Sequence, residues 1–207
     1  MAANGAGDPP ALSSLIEIAS MQSPPFSVVA AQTLKPSQNL YTELILRTLG
    51  KVVPATASSN PARTAEDAGI EVVKTFLKEV NLNPDALVLT DGSGLSRNDM
   101  VTADATVRLL AYMSKHKYAN TLRDALPIAG VDGTLRNRFR GTVAENNVRA
   151  KTGSLSSAAS LSGYVTTAAG ENLVFSIMVN NYPSDAEPRT VCIDPIAVLL
   201  ASFVGRS

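Results

Sequence analysis

Val148-Arg149-Ala150-Lys151-Thr152-Gly153-Ser154 puts a lysine, a hydroxyl and a glycine in succession at the end of a predicted strand. The lysine carries a full positive charge and Thr152 a hydrogen-bond donor. Gly153, without a Cβ, lets a ligand approach the main chain. Together these groups suit a carboxylate held beside exposed backbone. A tripeptide alone is weak support for a site, so the surrounding chain has to decide.

Working outward, Asn146-Asn147 is a turn, and alternating apolar residues over 159–166 and 173–180 predict two further strands. Ala169-Gly170-Glu171-Asn172 between them is a hairpin turn. At the end, Ile193 as staple residue, Asp194 as cap and Pro195 at the first helical position open a helix over 196–201. The expected half is a three-stranded antiparallel meander with a terminal helix.

Upstream, Asp132-Gly133 is a turn, and Arg136, Arg138 and Arg140 with Asn137 are expected on a solvated helix face. Thr102 caps a helix with Thr106, Leu109, Leu110 and Met113 inward, and Thr64-Ala65-Glu66-Asp67 is a capping-box-like start for another, with Ile70, Val73, Leu77 and Val80 on one face. Leu87-Val88-Leu89, a short buried strand or extended stretch, leads into the loop Asp91-Gly92-Ser93-Gly94-Leu95-Ser96-Arg97. The segment 37–50 predicts a buried helix, with an apolar stripe at Tyr41, Leu44, Ile45, Thr48 and Leu49 and Ser37 and Asn39 at its mouth. Before it, Ser27 caps a short helix over 28–35 that Pro36 stops, and 15–19 reads as a short strand.

The 207 residues suffice for one core, and 45% hydrophobic with 17% charged residues fits a globular fold. Eighteen basic residues balance eighteen acidic ones, so no large field recruits nucleic acid or an anionic membrane. One cysteine, Cys192, excludes an intrachain disulfide, and with a single histidine, His116, it argues against a protein-only zinc site. No metal or other cofactor is expected. The first ten residues show neither a basic n-region nor an apolar h-region, and no run has the length of a membrane helix.

Serine-x-asparagine occurs at Ser37-Gln38-Asn39, at Ser58-Ser59-Asn60 in a polar linker over 54–61, and at Ser96-Arg97-Asn98. The pattern alone therefore decides nothing, and a capping serine is the plain alternative for Ser37. Position favours Ser37-Gln38-Asn39, because a helix mouth can aim side chains.

Four segments in series carry a resemblance: Ser37-Gln38-Asn39-Leu40-Tyr41-Thr42-Glu43, Asp91-Gly92-Ser93-Gly94-Leu95-Ser96-Arg97, Ala129-Gly130-Val131-Asp132-Gly133-Thr134-Leu135 and Ala150-Lys151-Thr152-Gly153-Ser154-Leu155. From about Ser23 to the last helix the chain resembles the D-alanyl-D-alanine carboxypeptidase/endopeptidase family, the low-molecular-mass class C penicillin-binding proteins. Ser37-Gln38-Asn39 matches that family's S-x-N, with Gln38 where Asp is common, and Lys151-Thr152-Gly153 matches its third motif. Ser96-Arg97-Asn98 belongs to a segment that shapes the site without being its S-x-N.

The resemblance implies an α/β (α+β) fold of the penicillin-binding-protein/β-lactamase type, an antiparallel sheet flanked by helices. Residues 23–207 would be the carboxy-terminal part of the catalytic domain, behind an amino-terminal segment 1–22. It also implies acyl transfer on peptidoglycan stem peptides ending in D-Ala-D-Ala, in an extracytoplasmic or periplasmic setting, with β-lactams as inhibitors. Ser37 would relay a proton to the leaving amine, Asn39 would hold the substrate amide and the catalytic lysine, and Lys151 and Thr152 would grip the carboxylate. The strand after Gly153 would pair with the peptide, and the Ser154 amide would be an oxyanion donor.

The family's nucleophile motif, S-x-x-K, does not precede Ser37. Its one match, Ser114-Lys115-His116-Lys117, lies between the second and third motifs and at a polar helix end. The amino-terminal strands and nucleophile helix are thus expected in a missing amino-terminal half, a partner of this chain. A non-catalytic muropeptide-binding or scaffold domain, or a β-lactamase or esterase of the same fold, are the alternatives.

Overall fold

The computed structural model describes residues 15–53 and 63–205; the first fourteen residues and the linker read at 54–61, with Ser58-Ser59-Asn60, lie outside the described residues. Five helices come first: α1 (Phe26–Leu34), α2 (Asn39–Val52), α3 (Ala65–Glu79), α4 (Ala103–Ser114) and α5 (Ala119–Ala125). Strands β1 (Arg149–Leu155), β2 (Ala158–Thr166) and β3 (Asn172–Asn180) follow, and α6 (Asp194–Ser202) ends the fold.

The expected meander is present: an antiparallel sheet in the order β1-β2-β3, with Lys151 opposite Ser162, Gly153 opposite Ser160, and Leu161 opposite Ile177. Its cause is the period of two along β2, where Ala159, Leu161, Gly163 and Val165 are buried and the residues between them are not. The buried face meets α6, where Ala197 and Ala201, four residues apart, let helix and sheet approach closely. Burying a side chain such as Leu161 is worth roughly 1.5–3 kcal/mol. On the opposite face lies α4, whose Leu110 carbonyl accepts from the Tyr164 hydroxyl at 2.9 Å. Helices thus cover both faces. Among the described residues, no helix is long and apolar enough to cross a membrane.

Two helix starts follow the sequence closely. Thr64 Oγ1 accepts from Asp67 N while an Asp67 carboxylate oxygen accepts from Thr64 N, and Thr102 Oγ1 accepts from Ala105 N. Other expectations are corrected. Residues 15–25 form no strand or helix, and Ile16 and Ile18 are almost fully exposed, because among the described residues no neighbouring strand supplies hydrogen bonds. Ser27 lies inside α1 rather than capping it, since Pro25, with φ already fixed, precedes the first turn. α2 is not a buried helix: α3 packs on the side carrying Leu46 and Gly50, so Tyr41 and Leu44 remain exposed. Residues 87–89 contribute one bridge, Val88 to Met100, with Val88 exposed.

The arginine cluster is not helical. After a 3₁₀ turn, Gly133–Leu135, the chain proceeds through turns, and Arg138 forms an ion pair with Asp194. That pairing explains why Asp194 is no side-chain cap: a π-helical turn, Arg189–Ile193, runs straight into α6 and Asp194 is drawn to the guanidinium. Ile193 is buried beneath this junction. α5 is an additional short helix without an apolar stripe to announce it.

Candidate active site

Pro36 follows the end of α1, and the chain turns through Ser37 at φ 64° before α2 begins. This left-handed region costs a non-glycine residue about 1–2 kcal/mol. Gln38 N–H closes the corner on the Thr33 carbonyl at 2.9 Å. The turn brings the Ser37 hydroxyl to β1, where Lys151 Nζ donates to Ser37 Oγ at 2.7 Å and to the Thr152 carbonyl at 2.8 Å. Burial pulls the Lys151 ammonium below the usual lysine pKa, because desolvation disfavours its charged form.

Asn39, two residues after Ser37, opens α2 with an exposed side chain that makes no hydrogen bond among the described residues. Its carbonyl accepts from the Thr42 hydroxyl. The structure therefore joins Ser37 to Lys151 directly and leaves Asn39 beside them, free to meet a ligand.

A second set of contacts, not anticipated from sequence, holds this corner in place. Lys35 Nζ donates to Asp132 Oδ2 at 2.6 Å and to the Leu126 carbonyl at 3.0 Å, while Asp132 Oδ1 accepts from Ile128 N at 2.9 Å. The Lys35 carbonyl accepts from Thr134 N at 3.0 Å. Gly133 sits at φ 56°, and a Cβ there would come within 2.6 Å of the Lys35 carbonyl oxygen, so only glycine fits. Thr134 also accepts from Thr152 Oγ1 at 2.9 Å. One residue thus ties the α1–α2 corner to the strand. In the sequence, Thr134 is marked by the Asp132-Gly133 turn and by the family-like segment Ala129 to Leu135.

On β1, Ala150 N donates outward to the Pro127 carbonyl, at the edge away from β2. With a period of two, the Thr152 and Ser154 amides face the same outer edge, which from Lys151 onward has no strand partner among the described residues. Gly153 backs onto Ser160, whose Oγ would lie 2.3 Å from an added Cβ. Ser154 Oγ accepts from the Arg189 guanidinium.

The loop at Asp91 docks on α2 through Gly92 N, which donates to Glu43 Oε2 at 2.8 Å. Hydrogen bonding from Arg47 and then from Gly92 holds the Glu43 carboxyl below its usual pKa. Inside the loop, Asp91 accepts from Gly94 N, Ser96 N and Ser93 Oγ. Burial opposes ionisation of Asp91, but these bonds outweigh it and keep its pKa low. Ser96 Oγ accepts from Asn98 N, a local turn contact. Ser114 is exposed at the end of α4 and donates to the Ala111 carbonyl, as expected of a solvated helix end. Among the described residues no group of three or more His, Cys, Asp or Glu is placed to hold a metal.

Residues 7–203 match the D-Ala-D-Ala carboxypeptidase 3 (S13) family. The chain belongs to this family. A D-alanyl-D-alanine carboxypeptidase of Actinomadura sp. is 40% identical over 185 residues, which are 87% of this chain and 32% of that protein. The D-alanyl-D-alanine carboxypeptidase DacB of Haemophilus influenzae is 37% identical over 59% of this chain and 26% of its own. Among solved structures, penicillin-binding protein 4 (dacB) of Haemophilus influenzae, complexed with a β-lactam, superposes with a TM-score of 0.69 at 26% identity, covering 84% of this chain and 40% of that one. An extended-spectrum β-lactamase, TLA-1, shares the fold with a TM-score of 0.58 at 17% identity, over 84% of this chain and 61% of that one. This D-Ala-D-Ala carboxypeptidase 3 family chain spans about a third of the length of the curated relatives it matches.

Proposed function

We propose that this chain supplies the S-x-N and K-T-G half of a serine-type D-Ala-D-Ala carboxypeptidase or endopeptidase, an extracytoplasmic enzyme that acts on peptidoglycan stem peptides through an acyl-enzyme. The observation that carries the proposal is the 2.7 Å contact between Lys151 Nζ and Ser37 Oγ, two motif residues 114 positions apart. Family membership and the likeness to a β-lactam-bound relative support it.

In this mechanism a serine of an upstream S-x-x-K attacks the peptide bond between the terminal D-alanines, and its lysine takes the proton. The Ser37 oxygen accepts from Lys151, which leaves its own O–H to pass a proton to the departing amine. Asn39, exposed beside Ser37, holds the substrate amide and the nucleophile's lysine. Lys151 and Thr152 receive the terminal carboxylate. The peptide pairs with the outer edge of β1 from Gly153 on, and the edge-facing Ser154 amide is one of two donors to the oxyanion. A β-lactam carries a carboxylate beside a strained amide and enters the same way.

The lack of an S-x-x-K ahead of Ser37 favours one other role for residues 1–207 by themselves, reversible binding of muropeptide without hydrolysis. The test is release of D-alanine from an acylated D-Ala-D-Ala peptide by this chain joined to the family's upstream segment. Release that disappears in Ser37→Ala and Lys151→Ala supports the proposal. Release unaffected by both refutes it.

A further inference from the structure

Lys35 stands two positions before Ser37 and is fixed by its main chain and its side chain alike. Its Nζ donates to Asp132 Oδ2 and to the Leu126 carbonyl, and so grips both ends of the segment 126–132. Asp132 also closes that segment on itself: its Oδ1 accepts from Ile128 N, and its own N–H donates to the Ile128 carbonyl at 3.2 Å. The segment is joined in turn to the start of the sheet, through Ala129 N to the Val148 carbonyl at 2.9 Å and Ala150 N to the Pro127 carbonyl at 3.0 Å. Lys151 is the next residue. A short run of polar contacts thus leads from one partner of the Ser37–Lys151 hydrogen bond to the other.

Apolar packing does not set that distance. Among the described residues, the buried cluster on the sheet includes none from α1 or α2. α1 lies on α5 and α2 on α3. The corner that bears Ser37 therefore meets the sheet through polar contacts, and it does so with Ser37 in a strained left-handed conformation that a released corner would relax. Lys35 and Asp132 supply the ionic contact of this set. Their side chains are 25% and 34% exposed, so water screens the pair only in part.

We propose that Lys35 and Asp132 are positioning residues for the Ser37 relay: their ion pair fixes where the Ser37 hydroxyl stands relative to Lys151, and through it the rate of proton transfer to the leaving amine. This rests on the reading of Ser37 as that relay. The pair acts through Ser37 and not on the substrate, so its loss slows turnover and leaves substrate binding as it was, because a small displacement of a reacting group costs rate before it costs affinity.

The test is D-alanine release by this chain joined to the family's upstream segment, with kcat and KM measured separately. Asp132→Asn keeps an oxygen for Ile128 N, so the turn survives and the ionic contact is lost; Lys35→Met keeps the stem and loses the charge. Each should lower kcat about tenfold, the order for one charge-assisted hydrogen bond, with KM unchanged. The double variant should be no slower than either single one, and Lys35→Arg should retain most of the native kcat. In residues 1–207 alone, Asp132→Asn should speed hydrogen exchange at the Gln38 and Thr134 amides, which bond to Thr33 and Lys35, and leave the buried Leu161 amide as in the native chain. If both variants keep the native kcat while Ser37→Ala abolishes release, the inference is wrong and the function proposed above stands. Leu161 exchange accelerating as much as that of Gln38 would make the pair's role general stability, which also overturns the inference. If the native joined enzyme releases no D-alanine, the proposed function fails and the inference with it.

Discussion

Lys151 Nζ meets Ser37 Oγ at 2.7 Å although 114 positions separate the two residues, and Ser37 holds that place in a left-handed conformation that suits glycine better. The corner gives up stability to keep a hydroxyl. Comparing Ser37→Gly with Ser37→Ala isolates this cost, because both lose the hydroxyl and only alanine keeps the strain. The glycine variant should be more stable than the alanine variant by about 1 kcal/mol in denaturant unfolding. Equal midpoints would mean that the turn is not left-handed in solution.

Lys151 has a similar trade. Burial lowers its pKa in the folded chain, so its charge opposes folding at neutral pH, and the penalty lifts as pH rises through the folded value towards the unfolded value near 10.4. Stability of the native chain should therefore gain over that alkaline window relative to Lys151→Met, which lacks the titrating group. Parallel stability-versus-pH curves for the two would contradict the burial. In the enzyme carrying its upstream half, Lys151→Ala should raise the acylation barrier by roughly 2 to 5 kcal/mol, the range for removing one member of a buried charged pair. Unaltered penicillin acylation would leave the triplet only a structural role.

The loop at Asp91 gives an acid-side prediction with the opposite sign. Hydrogen bonds to the carboxylate depress the folded pKa below the unfolded value near 3.9, so the stabilisation is whole above that value and is lost as pH falls through the folded one. Asp91→Asn should be less stable than the native chain at pH 7, with the difference shrinking below about pH 4. A difference that persists undiminished at pH 2 would assign the effect to something other than ionisation of Asp91.

Much of the fold was legible where the cause is local. The period of two in β2, the Thr64 and Thr102 caps and the short turns each act within a few residues, and all are present as read. Misreadings arose where distant packing decides. Tyr41 and Leu44 have helical spacing, but only the placement of α3 determines which side of α2 is covered. Asp194 has the form of a cap, yet Arg138, 56 positions earlier, claims its carboxylate. The site divides in the same way. Ser37 and Lys151 could be paired only through the resemblance, whereas Lys35 and Arg189 belong to no motif and are found by their contacts alone.

Residues 1–207 bring together groups suited to hold a carboxylate and relay a proton, but the serine of their one S-x-x-K match, Ser114, is exposed and bonded to a backbone carbonyl. An unactivated hydroxyl is a weak nucleophile at neutral pH, so grip without attack gives reversible binding only. The isolated chain should show no mass increase after incubation with a fluorescent penicillin. Supplying the family's upstream S-x-x-K segment, fused or co-expressed, should restore labelling at the serine of that segment. Intact-mass analysis with peptide mapping decides between the outcomes: an acyl adduct on the isolated chain, above all one at Ser114, would mean that residues 1–207 hold a complete acylating site and that the grouping around Ser37 and Lys151 is not its centre.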